Sequence, residues 1–289
     1  MNEIGLLFLL LPVAAFSGWY VARRGSERTS GAKVSELSSN YFRGLNYLLN
    51  EQQDKAIEVF LQLAEYNRDT VETHLALGNL FRRRGEVDRA IRVHQNLIAR
   101  PSLSDEEKTV ALLELGEDYM RAGLLDRAET LFTDLVAMDA LAPVALNHLV
   151  AIYQHERDWN KAIDIARKLE AATGESQGAS IAQFYCELAE QARSRKAWAE
   201  ARGFLDEACA AEGDCVRASM ILGHIEASNG NPDAAIAAFE HVAERDVDYV
   251  PEILSPLLDV YAKAQRMQRA EEFLLRMTER HQGVSPVLA

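Results

Sequence analysis

Residues 73–98 read THLALGNLFRRRGEVDRAIRVHQNLI, and the order of small and large side chains in this stretch decides the fold. Leu77-Gly78 is followed three residues on by Phe81, then by Gly85 and Ala90. Leu115-Gly116, Tyr119, Gly123, Ala128 and Phe132 reproduce the spacing, and Leu222-Gly223, Gly230, Ala235 and Phe239 reproduce it again. Weaker copies are Gly44/Tyr47/Ala56/Phe60, Leu149/Tyr153/Ala162/Leu169, Leu188-Ala189/Ala201/Leu205 and Leu257/Tyr261/Ala270/Leu274. With the small residue as position 8, units begin near 37, 71, 109, 143, 182, 216 and 251, in steps of 34, 38, 34, 39, 34 and 35. Self-similarity at such a period means stacked supersecondary units that share one continuous core.

The pattern resembles the tetratricopeptide repeat, a pair of antiparallel helices. Two such helices approach closely where a Gly or Ala on the first meets an Ala on the second, and the large residues one turn away cover the crossing. Turn signals agree. Arg82-Arg83-Arg84-Gly85 ends one helix with basic residues and a C′ glycine, and Asn231-Pro232-Asp233 opens another with an N-cap and an N1 proline. The longer steps put extra residues at Ser102–Asp105 and Gly174–Gly178, the loops expected to protrude. The fold class read from this is all-α: a tetratricopeptide-repeat solenoid of seven helix-turn-helix units over residues 37–289, with one N-terminal transmembrane helix.

That helix is read from Ile4–Ala22, IGLLFLLLPVAAFSGWYVA, a run without a charge that reaches roughly 28 Å as a helix. Arg23, Arg24 and Arg28 follow it, so the anchor, residues 1–24, is expected N-out and C-in, with Trp19 and Tyr20 at the headgroup level. A cleaved signal peptide would carry its positive residues before the apolar run, not after it. Leu6, Leu7, Leu10 and Val13 form one stripe, and Ala14 and Gly18 allow close approach of another membrane helix. Residues 25–36 are Ser/Gly/charged and read as a flexible tether.

Lys+Arg 31 against Asp+Glu 44 gives a net charge of -13, the wrong sign for a nucleic-acid partner. Three cysteines without a CxxC build neither a disulfide framework nor a zinc site, and packing is the default for each. No GxxxxGK[ST], GxGxxG, GxSxG or HExxH is present, so no enzyme activity, cofactor or metal is expected of this chain. Its histidines read as packing or surface residues. First helices of stacked hairpins line a concave face that binds protein or peptide. Positions 5, 9, 12 and 13 point there: Tyr41, Leu45 and Leu48; Leu75, Asn79, Arg82 and Arg83; Leu113, Glu117, Met120 and Arg121; then Asn147 and His155. Arg82, Arg83 and Arg121 are expected to cluster and to steer an acidic partner surface. The alternative is dipole complementation at the helix ends, worth about 0.3–1 kcal/mol each.

The strings LLFLLLPVAAFSGWY, NYLLNEQQDKAIEVF, THLALGNLFRRRGEVDRAIRVHQNLI and IAQFYCELA closely resemble the lipopolysaccharide assembly protein B family, also called LapB or YciM. The likeness covers nearly the whole chain. It implies a single-pass protein of the bacterial inner membrane with a cytoplasmic repeat array, which presents the deacetylase LpxC to the membrane-bound protease FtsH and is opposed by a membrane-embedded sensor called PbgA, YejM or LapC. The alternative is a scaffold that gathers lipopolysaccharide synthesis and export proteins without directing proteolysis. Self-association is left open. The family ends in a rubredoxin-like module whose two CxxC knuckles bind iron or zinc; this chain lacks them and closes on Gly283–Ala289, which reads as the opening of another repeat helix, as in a truncated array.

Overall fold

The structure, a computed structural model, describes residues 39–50, 52–66 and 70–280. The apolar run with Leu6, Leu7, Leu10, Val13, Ala14, Gly18, Trp19 and Tyr20, the tether 25–36 and the closing segment 281–289 lie outside the described residues. Among the described residues the regular structure is helical and no helix is long and apolar enough to cross a membrane.

The chain forms two compact units, Met1–Leu131 and Phe132–Ala289. The first contains α1 (39–49), α2 (Gln53–Tyr66), α3 (Val71–Arg83), α4 (Val87–Ile98), α5 (Asp105–Arg121) and the start of α6 (Leu125–Ala137). The second holds the rest of α6, then α7 (Ala142–Glu156), α8 (Trp159–Thr173), α9 (Gly178–Ser194), α10 (Trp198–Ala211), α11 (Val216–Asn229), α12 (Pro232–Arg245), a 3-10 turn at Val247–Tyr249, α13 (Val250–Lys263) and α14 (Met267–Arg280). In sequence order these are seven helix pairs. Two first helices start earlier than the repeat spacing suggests: α5 begins at Asp105, because Ser104 and Glu107 form a capping box, and α9 begins at Gly178. The residues expected as loops, 102–104 and 174–177, do lie between helices, and the longer steps also lengthen α5 and α9 to 17 residues each.

The six pairs from α3–α4 onward turn at the same place, and the turn asks for a left-handed residue. Arg84 caps α3 and Gly85 follows with φ 83°. Gly123 and Gly230 serve the corresponding turns, whereas Arg157, Lys196 and Gln265 hold the same conformation with a side chain.

The repeat's small residue works differently from the sequence reading. The second helix's Ala56, Ala90 and Ala235 are fully buried, but what lies over the glycine is the ring one turn further on. A Cβ at Gly44 would stand 2.9 Å from Phe60, and one at Gly223 would stand 2.6 Å from Phe239. Glycine is needed because an aromatic ring sits against the first helix's backbone, and the alanine only lets the second helix come near enough to deliver it. In the first unit Phe60 joins Ile57, Leu63, Leu77, Leu80, Phe81 and Ala90 in one core. In the second, Phe239 packs with Ile236, Val242, Ile253, Leu257 and Tyr261, and a separate cluster carries Cys186, Ile221 and Ile225.

At Asn231-Pro232 the positions are those the sequence implies and the chemistry is not. Pro232 opens α12, but the Asn231 side chain makes no cap and instead donates to Glu226 at 2.7 Å.

Candidate protein-binding face

In the α3–α4 pair the ring position is filled by a histidine. His94 stands four residues after Ala90, as Phe60 follows Ala56, and a Cβ at Gly78 would meet its Nε2 at 2.3 Å. An imidazole buried with 0% exposure needs a partner, and Nδ1 donates to Asp118 Oδ2 at 2.6 Å. Asp118 is itself fully buried on α5, at a position where four other first helices carry the buried aliphatic residues Leu80, Ile152, Ile225 and Val260. Its second oxygen accepts from Arg82 Nη1 at 2.7 Å.

Arg82 then reaches across α5. Nη1 also donates to the Glu114 carbonyl at 3.1 Å, and Nη2 meets Glu114 Oε2 at 2.6 Å and Glu117 Oε2 at 2.8 Å. Asn79 Nδ2 donates to Glu114 Oε1 at 3.1 Å. Burial opposes the charge on Arg82, yet the hydrogen bonds it donates to Glu114 and Asp118 outweigh it and raise the guanidinium above its ordinary range. Among the described residues His94 Nε2 and Asn79 Oδ1 are buried without a hydrogen-bond partner.

The three arginines expected to form one basic cluster thus divide. Arg82 is a bolt between α3 and α5, its charge offset by Glu114, Glu117 and Asp118. Arg83 and Arg121 are exposed, and no ion pair or hydrogen bond engages either among the described residues. Arg83 shares a stripe of α3 with Leu75 and Asn79 at i, i+4, i+8 spacing, and Arg121 shares one of α5 with half-buried Leu113 and partly exposed Glu117. Contact between Arg82 and Glu117 makes those stripes neighbours. Met120 is half-buried beside them. Asn147 and His155 belong to the second unit, on α7, and both are exposed; Asn147 donates to the Pro143 carbonyl at 3.0 Å. Tyr41, Leu45 and Leu48 pack against the α2–α3 core, which leaves Phe42 and Leu49 as the exposed apolar residues of α1.

The His94–Asp118–Arg82 network escaped sequence reasoning. Its signal was there as a pair of departures, a histidine where the three units with Phe60, Phe132 and Phe239 carry phenylalanine and an aspartate where four units carry an aliphatic residue. Among the described residues no group of three or more His, Cys, Asp or Glu could hold a metal ion.

Comparison with known proteins accounts for this architecture. Residues 73–108 match one tetratricopeptide-repeat model, and residues 113–176, 186–249 and 222–284 match a second. The C-terminal part of a repeat-containing protein from Cytophaga hutchinsonii superposes with a TM-score of 0.55 at 13% identity, over 86% of this chain and 98% of that one, a likeness of fold alone. Lipopolysaccharide assembly protein B of Escherichia coli K12 is 41% identical over 283 residues, 98% of this chain and 73% of the relative. The protein of that name from Haemophilus influenzae is 39% identical over 281 residues, 94% of this chain and 71% of the relative. With this identity over nearly its whole length, the chain belongs to the lipopolysaccharide assembly protein B family and is built from tetratricopeptide repeats.

Proposed function

We propose that the chain is a single-pass inner-membrane adaptor that restrains lipopolysaccharide synthesis by presenting the deacetylase LpxC to the protease FtsH, under the opposing control of a membrane-embedded sensor, PbgA. The observation that carries this reading is the 41% identity with lipopolysaccharide assembly protein B across 283 residues. The Ile4–Ala22 run supplies the anchor, and the helices after it supply the docking surface.

Within the first unit the surface suited to a partner is the pair of stripes on α3 and α5. Arg82 fixes the spacing of the two helices from beneath, so the face is pre-organised and little ordering is needed on binding. Arg83 and Arg121 offer exposed, unpaired guanidinium groups on a chain of net charge -13, and Leu75, Leu113 and Met120 offer apolar contact between them. Such a face suits an acidic protein surface with an apolar centre.

Exchange of both Arg83 and Arg121 for Glu tests this face. Partner capture from detergent-solubilised membranes should fall steeply and lose its salt dependence, while thermal stability changes by no more than about 0.5 kcal/mol per site, as expected of exposed substitutions. Unchanged capture would remove the face from the account. Co-purification of several lipopolysaccharide synthesis and export proteins, with LpxC turnover indifferent to FtsH, would replace the adaptor with a scaffold.

A further inference from the structure

The second unit holds a feature that the adaptor reading does not use. Cys186, on α9 and fully buried, and Cys215, the residue before α11 and 7% exposed, bring their sulfur atoms to 3.8 Å. Both thiols are free. Their backbones are held from outside the pair: Arg217 on the first turn of α11 donates to Gln183 at 3.0 Å and to Glu187 at 2.6 Å on α9, and Asp214 pairs with Arg245 of α12 at 3.1 Å. Cys215 lines a surface cleft of about 420 Å³ with Gln183, Glu212, Asp214, Arg217 and Asp246.

We propose that Cys215 is a site of oxidation by small neutral hydroperoxides and that Cys186 resolves it to a disulfide joining α9 to the start of α11. The charge around the cleft selects the oxidant. Glu212, Asp214 and Asp246 line it, and Arg217, the one lining cation among the described residues, is already bound to Glu187, so an anionic disulfide is repelled where an uncharged peroxide enters.

The chemistry balances. The Cys215 thiolate attacks one peroxide oxygen, the O–O bond breaks, and the leaving oxygen takes a proton from water, which leaves a sulfenic acid. The Cys186 sulfur then attacks the Cys215 sulfur; the S–S bond forms, the S–O bond breaks, and water departs with the Cys186 proton. Two thiols are oxidised and one peroxide is reduced to two waters or to water and an alcohol. Sulfurs at 3.8 Å must close to about 2.05 Å as the bond forms.

The electrostatics assign the order of attack. The hydrogen bond from Cys186 holds the Cys215 thiol down at about 6, against the effect of burial, and the amides of Ala218 and Arg217 act in the same direction although none makes a cap bond of ordinary geometry. The same contact pushes Cys186 up, and burial adds to it. Once Cys215 has become a neutral sulfenic acid, the negative charge that held the Cys186 proton is gone. Cys209 is exposed, but desolvation raises its pKa and it has no thiol within contact.

Peptide mapping of the full chain after hydrogen peroxide at neutral pH tests the proposal. The expected product links Cys186 to Cys215, is lighter by about 2 Da, returns to free thiols with a reductant and leaves Cys209 open to alkylation. In Cys186→Ser, whose hydroxyl keeps a hydrogen-bond donor toward Cys215 but cannot resolve it to a disulfide, dimedone should trap a sulfenic acid on Cys215 at least about tenfold faster than on Cys209. The native-chain map does not depend on the variant's folding. Cys186 and Cys215 both remaining alkylatable at peroxide levels that oxidise Cys209, or a cross-link through Cys209, would overturn it.

Discussion

His94 and Asp118 show what a single residue can do to a repeated pattern. A buried carboxylate costs several kcal/mol when its partner is removed, yet a buried polar pair replaced by well-packed apolar residues is often neutral or better. His94→Phe restores the aromatic ring of the other units but strips Asp118 of one donor, so chemical denaturation should show a loss of about 1–3 kcal/mol. Adding Asp118→Leu should recover most of that loss, because Arg82 keeps Glu114 and Glu117. A double variant as unstable as the single one would mean that the network is required beyond its own satisfaction. Glu226 makes a second case, with a pH signature. It is buried at 5% exposure and accepts from Arg202 at 2.6 Å and from Asn231 at 2.7 Å. The Arg202 hydrogen bond leads in holding its carboxyl below the usual glutamate value of 4.5. A depressed folded-state value means stability that is fully present above the unfolded value and lost as pH falls through the folded one. The melting-temperature gap between the native chain and Glu226→Gln should therefore be constant above about pH 5 and shrink below 4.5. A gap that persists at low pH would trace it to packing.

At the scale of the helix pair, the turn residue is the controlling element. Gly85, Gly123 and Gly230 take the left-handed conformation freely, whereas Lys196 holds φ 61° with a side chain, a strain of about 1–2 kcal/mol. Lys196→Gly should raise stability by up to about 1 kcal/mol, and Gly85→Ala should lower it by a similar amount or more. A loss of melting temperature with Lys196→Gly, or a gain with Gly85→Ala, would deny that these turns are equivalent. Legibility from sequence follows the same physics. Gly85 and Gly230 could be read because glycine is what a left-handed turn usually takes; Arg157, Lys196 and Gln265 could not, because nothing in a charged or amide side chain announces positive φ. The helix pairs were legible because small and large residues recur at fixed spacing. The candidate face was legible only in part: periodicity puts Asn79, Arg82, Glu117 and Arg121 toward one side, but which of them binds inward depends on the neighbouring helix, and Asp118 was hidden at a position that four other units fill with an aliphatic residue. Gly178 likewise begins α9 unexpectedly; a Cβ there would stand 2.5 Å from the Ala211 carbonyl, a tertiary contact that no local rule contains.

The whole molecule joins an uncharged N-terminal run, two compact helical units and a strongly acidic surface. Relatives at 41% and 39% identity give it a family, and the adaptor reading rests on that kinship together with the unpaired arginines of the α3–α5 face. Loss of an adaptor that feeds a protease should lengthen the life of the protease's substrate and of nothing that the protease takes unaided. The most direct measurement is the half-life of LpxC in the host cell after synthesis is blocked, with the chain present, depleted, or carrying Arg83→Glu with Arg121→Glu, each in active and inactive FtsH backgrounds. The account predicts rapid loss of LpxC only with the native chain and active FtsH together, and slow loss in every other combination. An LpxC half-life that ignores depletion of the chain while FtsH is active would contradict it.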